Sequence, residues 1–104
     1  MVTNTFVDPA LGIVMRNSVE FPTLYISECG QWLYNSNRKN YIKKYMRNPS
    51  YKYLKVCSAK FYIHRLVAYA WVFNPCPKVF TTVDHIDHDT QNNSARNLRC
   101  VQSN

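Results

Sequence analysis

Near its C-terminal end the chain places Asp84 directly before His85, with an amide at Asn97 and two guanidinium groups at Arg96 and Arg99. A carboxylate, an imidazole, an amide and nearby cations are the parts needed to hydrolyse a phosphodiester with one metal ion. The imidazole suits the role of base, because its unperturbed pKa of about 6.5 lets it take a proton from water near neutrality.

The elements that must position these residues can be read from pattern. Lys78 to Ile86 is rich in Val, Phe and Thr and is expected to be extended, delivering Asp84 and His85 to the end of a strand. Asp87 to Arg96 is a polar loop without glycine, and Asn97 to Val101 returns as the opposing strand. Ile63, Leu66, Val67, Ala70 and Trp71 fall at the spacing of one helical face, which predicts a core helix from His64 to Phe73. Asn74-Pro75-Cys76-Pro77 stops it, since two prolines in three positions cannot continue the hydrogen-bond ladder.

Upstream, Thr23 to Ser27 and Gln31 to Asn35 read as a hairpin turning at Gly30, with a further turn from Ser36 to Asn40. Tyr41 to Arg47 alternates weakly and fits a strand or a short helix; Asn48-Pro49-Ser50 ends it in either case. Tyr51 to Val56 and Lys60 to Ile63 form a second expected hairpin whose lysines line one exposed face. The fold class is therefore α+β: small antiparallel β-hairpins, one core helix and a C-terminal hairpin.

At 104 residues the chain is one domain, able to bury roughly two thirds of the surface that its unfolded form exposes. Apolar residues make up 46% and aromatics 14%, with eight tyrosines, which is the composition of a folded globule. The cysteines at 29, 57, 76 and 100 show no CxxC pair and none of the close spacings of a structural zinc site, so reduced, mostly packed thiols are expected. A framework of two disulfides is the competing reading, but the first residues carry no cationic start followed by an apolar run. No apolar stretch approaches the roughly 20 residues that span a bilayer. A cytoplasmic protein without a membrane partner is the expectation.

The net charge is +7, and its placement says more than its sum. Residues 31 to 60 hold Arg38, Lys39, Lys43, Lys44, Arg47, Lys52, Lys55 and Lys60 and no acid. Like charges repel, so a surface built only for solvation mixes signs. Trp32, Tyr34, Tyr41, Tyr45, Tyr51 and Tyr53 are interleaved with these cations and could stack on sugars or bases while the cations meet phosphates. Double-stranded DNA is the expected partner, contacted through the eight cations and Arg65, Arg96 and Arg99.

The order His64-Arg65-Leu66-Val67-Ala68, Asn74-Pro75, Val83-Asp84-His85-Ile86-Asp87, Asn92-Asn93 and Asn97-Leu98-Arg99 resembles the HNH endonucleases of phages and group I introns. Tyr25-Ile26-Ser27 with Gly30, followed by the basic stretch, is similar to the DNA-contacting segment that precedes the motif in HNH homing endonucleases. The resemblance covers residues 23 to 101 and divides the single domain into a basic β region, about 20–60, and a motif region, about 61–104.

It implies a ββα-metal site, a hairpin backed by a helix with the metal between them. Asp84 would be a metal ligand, His85 the general base, and Asn97 the amide that orients the histidine. Mg²⁺ or Mn²⁺ is the implied cofactor, since oxygen ligands favour these ions over zinc.

At the motif's third position the family carries a His or Asn on a helix after the second strand, and here the sequence ends at Asn104. The expected enzyme is therefore a metal-dependent endonuclease lacking that helix, either a fragment of a longer nuclease or a short product whose activity is weak or lost. The alternatives are an HNH-derived DNA-binding module without turnover, or a phage product that binds a host nuclease.

Plainer roles are open for the neighbouring residues. Asp84-His85 could be a capped turn with a surface imidazole. His64 fits a structural role at the helix start, with a phosphate contact as its alternative. Asp87 and Asp89 would bond within the loop or add a second carboxylate near the metal. Asn92 and Asn93 are turn residues, His88 has no assigned role, Trp71 belongs to the core, and Trp32 is divided between core and groove.

Overall fold

The computed structural model describes residues 4–42, 46–47, 52–56 and 59–102. Five short strands come first: β1 (Thr5–Val7), β2 (Val14–Arg16), β3 (Leu24–Ser27), β4 (Leu33–Asn35) and β5 (Asn40–Ile42). They form one antiparallel sheet in sequence order. Strands β1 and β2 lie upstream of the first expected strand, and at three residues each they are too short to show a period. Their turn is made by Asp8, whose carboxylate accepts the Ala10 and Leu11 amides at 2.8 Å.

The register puts Phe6, Met15, Ser27, Tyr25, Tyr34 and Tyr41 on one face, because directly paired residues share a side and residues two apart return to it. In a flat sheet β1 and β4 would stand about 14 Å apart, three spacings of about 4.8 Å. Yet the Phe6 ring lies 5.1 Å from that of Tyr25 and 5.3 Å from that of Tyr34, and the Tyr41 hydroxyl donates to the Asp8 carboxylate. The sheet therefore curls until its edges meet, and this aromatic face lines the inside of the curl. Tyr34 and Tyr41, expected to meet nucleic acid, pack edge-on against each other at 5.1 Å. Trp32 is more exposed, at 38%, and its ring leans on that of Tyr41.

The opposite, convex face carries Leu24, Ile26 and Leu33 into the main core. Against them packs α1 (Ile63–Trp71), a nine-residue helix that buries Ile63, Leu66, Val67, Ala68 and Ala70. It lies within two residues of its expected bounds and ends before the prolines. Trp71 is partly buried against the core, and its indole N–H donates to the Ile26 carbonyl at 2.9 Å.

Before the helix come β6 (Met46–Arg47), β7 (Lys52–Val56) and β8 (Ala59–Tyr62), an antiparallel sheet. Tyr53 pairs with Tyr62 and Lys55 with Lys60, so these four residues share a face. Lys52 pairs with Arg47 instead and lies on the other face, so the three lysines do not all line one side as expected. Lys43, Lys44, Tyr45, the Asn48-Pro49-Ser50 turn, Tyr51, Cys57 and Asn104 lie outside the described residues.

After the helix, Asn74 shapes the proline-rich turn by accepting the Cys76 amide and donating to the Phe80 carbonyl. The expected extended run from Lys78 thus begins as a turn, with the Val79 and Phe80 amides bonded back to Cys76, and only β9 (Thr82–His85) is strand. It pairs antiparallel with β10 (Leu98–Val101). Val83 and Leu98 seat this hairpin in the core beside α1.

The protein is a small α+β structure of antiparallel hairpins with one α-helix among the described residues. No helix among them is long and apolar enough to cross a membrane. Cys29, Cys76 and Cys100 are free thiols; the first two are exposed, contrary to the packing expected of them.

Candidate functional site

Asp84 and His85 are consecutive in β9, so their side chains leave opposite faces of the strand. His85 pairs in register with Leu98 and is turned inward, 4% exposed. Its Nε2 lies 2.8 Å from Oδ1 of Asn93. An amide oxygen only accepts, so this contact puts the hydrogen on Nε2 and leaves Nδ1 as the basic nitrogen. The amide that holds the imidazole is thus that of Asn93, and Asn97, expected in that role, does something else.

Asn97 braces the loop between the strands. Its Oδ1 accepts the Asp87 amide at 3.0 Å, and its Nδ2 donates to Asp87 Oδ1 at 2.8 Å and to the Asn92 carbonyl at 2.9 Å. Its backbone carbonyl accepts the Ile86 amide at 2.7 Å. Asp87 gathers the remaining bonds, from the Asp89 amide and the Asn92 side chain. These donors, the Asp89 amide foremost and then Asn92 and Asn97, hold the Asp87 carboxyl below the usual carboxylate range. Asp87 and Asp89 bond within the loop, Asn92 is a brace, and Asn93 is buried at 5% exposure. His88 adopts a left-handed φ of 64° in the turn, and its side chain is exposed.

The first hairpin holds this loop from the other side. The Ala95 amide donates to the Glu28 carbonyl at 2.8 Å. Gly30 has φ +76°, and a Cβ added there would come within 2.8 Å of the Asn93 carbonyl oxygen and 3.2 Å of Val67. Gly30→Ala is therefore expected to cost about 2 kcal/mol or more in strain alone, and to displace the residue that holds His85. Urea unfolding checks the stability loss; a variant as stable as the parent would contradict this packing.

His64 sits at the helix start, 7% exposed, with its ring centroid 5.1 Å from that of His85 and 5.7 Å from that of Tyr62. Burial first, and then the charges of His85 and Arg65, push its pKa down to about 4. The unfolded chain binds this proton near pH 6.5 and the folded chain only near 4. The contribution of His64 to stability is therefore complete above about pH 6.5 and lost as pH falls towards 4, by up to about 3 kcal/mol. Unfolding midpoints across that window should fall for the parent and fall less for His64→Gln; parallel curves would refute the assignment.

On the outer face, Asp84 pairs in register with Arg99. Nε of Arg99 donates to Asp84 Oδ2 at 2.9 Å, and one terminal guanidinium nitrogen lies 2.9 Å from the same oxygen. With side chains 59% and 35% exposed, such a pair contributes about 0–1 kcal/mol. Asp84 offers the hard oxygen that Mg²⁺ or Mn²⁺ prefers, but among the described residues no three His, Cys, Asp or Glu side chains converge into a metal site. As placed, the carboxylate is held by a cation, and the imidazole lies across the strand from it.

The cations are distributed unevenly around this hairpin. Lys60 Nζ stands 4.2 Å from the Tyr53 ring centre and 5.3 Å from that of Tyr62. Tyr53, Tyr62, His64 and His85 follow one another with centroids 6.2, 5.7 and 5.1 Å apart, so the lysine-bearing face leads by ring contacts to the imidazole. Arg65, bonded to the Tyr69 hydroxyl at 3.2 Å, lines a cleft of about 260 Å³ with Tyr62, His64, Thr82 and Val83. Lys55 and Arg96 are exposed, as are Arg38 and Lys39 beyond β4.

Searches against family models, curated proteins and solved structures gave no match to this chain.

Proposed function

We propose that this chain is a DNA-engaging protein of HNH-endonuclease type, with His85 as the base that activates water. The observation that carries the reading is the held imidazole. Nε2 of His85 is fixed by the Asn93 amide oxygen, on a loop braced by Asp87 and Asn97, and it lies one ring contact from His64. A base held as one tautomer at the end of a strand, joined by ring contacts to a face of lysines and tyrosines, is suited to accepting a proton.

An enzyme of this type would use Mg²⁺ or Mn²⁺; Asp84, held by Arg99 and without a second metal-ligating side chain beside it among the described residues, does not by itself fit such an ion, and no step is assigned to one. In this reading Lys55, Lys60, Arg65 and Arg96 hold phosphates, and His85 takes the proton from water.

A second reading is favoured by the Asp84–Arg99 ion pair: a module descended from such an enzyme that binds DNA without turnover. Incubation with supercoiled plasmid and Mg²⁺ or Mn²⁺, against an EDTA control, separates the two. Relaxed or linear product that EDTA suppresses supports the nuclease; plasmid that stays supercoiled while its mobility shifts in a gel supports the binding module. Neither product nor shift would remove both.

A further inference from the structure

We infer that the cleft between the start of α1 and β9 is the seat of a single DNA phosphodiester, held jointly by the Arg65 guanidinium and the Thr82 hydroxyl. This rests on the proposed DNA-engaging reading and adds to it the place where one phosphate of the strand is fixed beside the paired His64 and His85 rings.

Tyr62, His64, Arg65, Thr82 and Val83 line the cleft, and none of them is an acid. Its volume of about 260 Å³ is several times a water molecule's share of about 30 Å³, which leaves room for a phosphate group. Burial foremost holds the His64 pKa down at about 4, so at neutral pH Arg65 is the one cation among the five residues. One cation matches the single charge of one phosphodiester.

Arg65 is steadied from within its own helix, where Nη1 donates to the Tyr69 hydroxyl at 3.2 Å. A guanidinium carries five N–H donors in a rigid fork, so this bond fixes the group while others can meet a pair of phosphate oxygens. Thr82 borders the cleft from β9 and carries a hydroxyl, a neutral donor to the same anion.

The cleft is continuous with the lysine-bearing face. Tyr62 belongs to both, since it lines the cleft and Lys60 Nζ stands 5.3 Å from its ring centre. Lys60 and Tyr62 lie two residues apart on β8, about 7 Å along the strand. A polymer with one phosphate in the cleft therefore carries a neighbouring phosphate past Lys60, which a free anion cannot do.

The test is the affinity of the full chain for a short fluorescent duplex, read by anisotropy in EDTA at several salt concentrations. Arg65→Gln should weaken binding about tenfold and flatten the log–log salt slope by about 0.9. Thr82→Val, β-branched like the residue it replaces, should weaken binding severalfold and leave the slope unchanged, because a hydroxyl neutralises no charge. The double variant should bind about as Arg65→Gln does, since two donors on one phosphate do not contribute independently.

A double variant whose loss is the product of the two single losses would show that Arg65 and Thr82 do not share a phosphate, and would overturn the seat. Thr82→Val at parental affinity would overturn it as well, even if Arg65→Gln fails to fold. In either case a parent slope that Lys55→Gln or Lys60→Gln still flattens leaves the DNA-engaging reading standing. Parental affinity that ignores salt would remove the seat and that reading together.

Discussion

Affinity for duplex DNA should collapse with added salt, falling roughly a thousandfold between about 50 and 200 mM if about six cations meet phosphates. The expectation follows from a cost that the fold accepts. Lys55 and Lys60 face each other directly across β7 and β8, and Arg47 and Lys52 are likewise paired in register. Like charges placed opposite one another destabilise a sheet, and a polyanion reverses that sign by neutralising both members. The Tyr53 and Tyr62 rings beneath Lys60 hold its ammonium at the surface where a phosphate can reach it. Replacing Lys55 and Lys60 with Gln should flatten the log–log slope by about 0.9 for each lost phosphate contact. Filter binding at several salt concentrations measures this, and a slope unaffected by either change would place the DNA elsewhere.

His85→Ala should lower the rate of plasmid cleavage by about 10²–10⁴-fold, the usual contribution of a positioned proton acceptor, while DNA affinity changes little. The separation of the two effects is the informative part. His85 is 4% exposed and reaches its surroundings through Asn93 and the His64 ring, whereas Lys55 and Lys60 stand on β7 and β8, Arg65 on α1 and Arg96 in the loop before β10. Asn93→Leu should mimic much of the rate loss, because the imidazole then has no oxygen to fix Nε2–H. A rate for His85→Ala equal to the parent's would end the role given to this residue.

Much of the scaffold could be read from pattern. The core helix announced itself through Ile63, Leu66, Val67 and Ala70, whose 3.6-residue spacing survives any detail of packing. The hairpin turning at Gly30 was equally legible, because a glycine between two apolar runs has few other uses. What pattern did not carry was contact at long sequence range. Nothing local distinguishes Tyr34 and Tyr41 inside a curled sheet from tyrosines on an open face; the curl depends on Phe6, in a strand too short to recognise, and on Asp8 in the turn that follows it.

The candidate site divides the same way. Asp84, His85 and Asn97 are drawn onto one hairpin and its loop, but their partners are set by side-chain geometry. Asn93, eight residues beyond His85, takes the imidazole because Asp87 ties Asn97 into the loop. The Asn92-Asn93 pair was the available signal, and it read as a turn, since asparagine side chains usually bond their own backbone. Arg99 falls opposite Asp84 only once the strand register is known. An alternation of two residues also separates Asp84 from His85 across the strand, which adjacency in sequence does not suggest.

The most direct test of the account is the nitrogen chemistry of His85, read by long-range proton–nitrogen correlation in the ¹⁵N-labelled chain. The account predicts hydrogen on Nε2, held by Asn93 Oδ1, changing to a mixture of tautomers in Asn93→Leu. Hydrogen on Nδ1 in the parent chain, or a ring averaging between tautomers there, would contradict it.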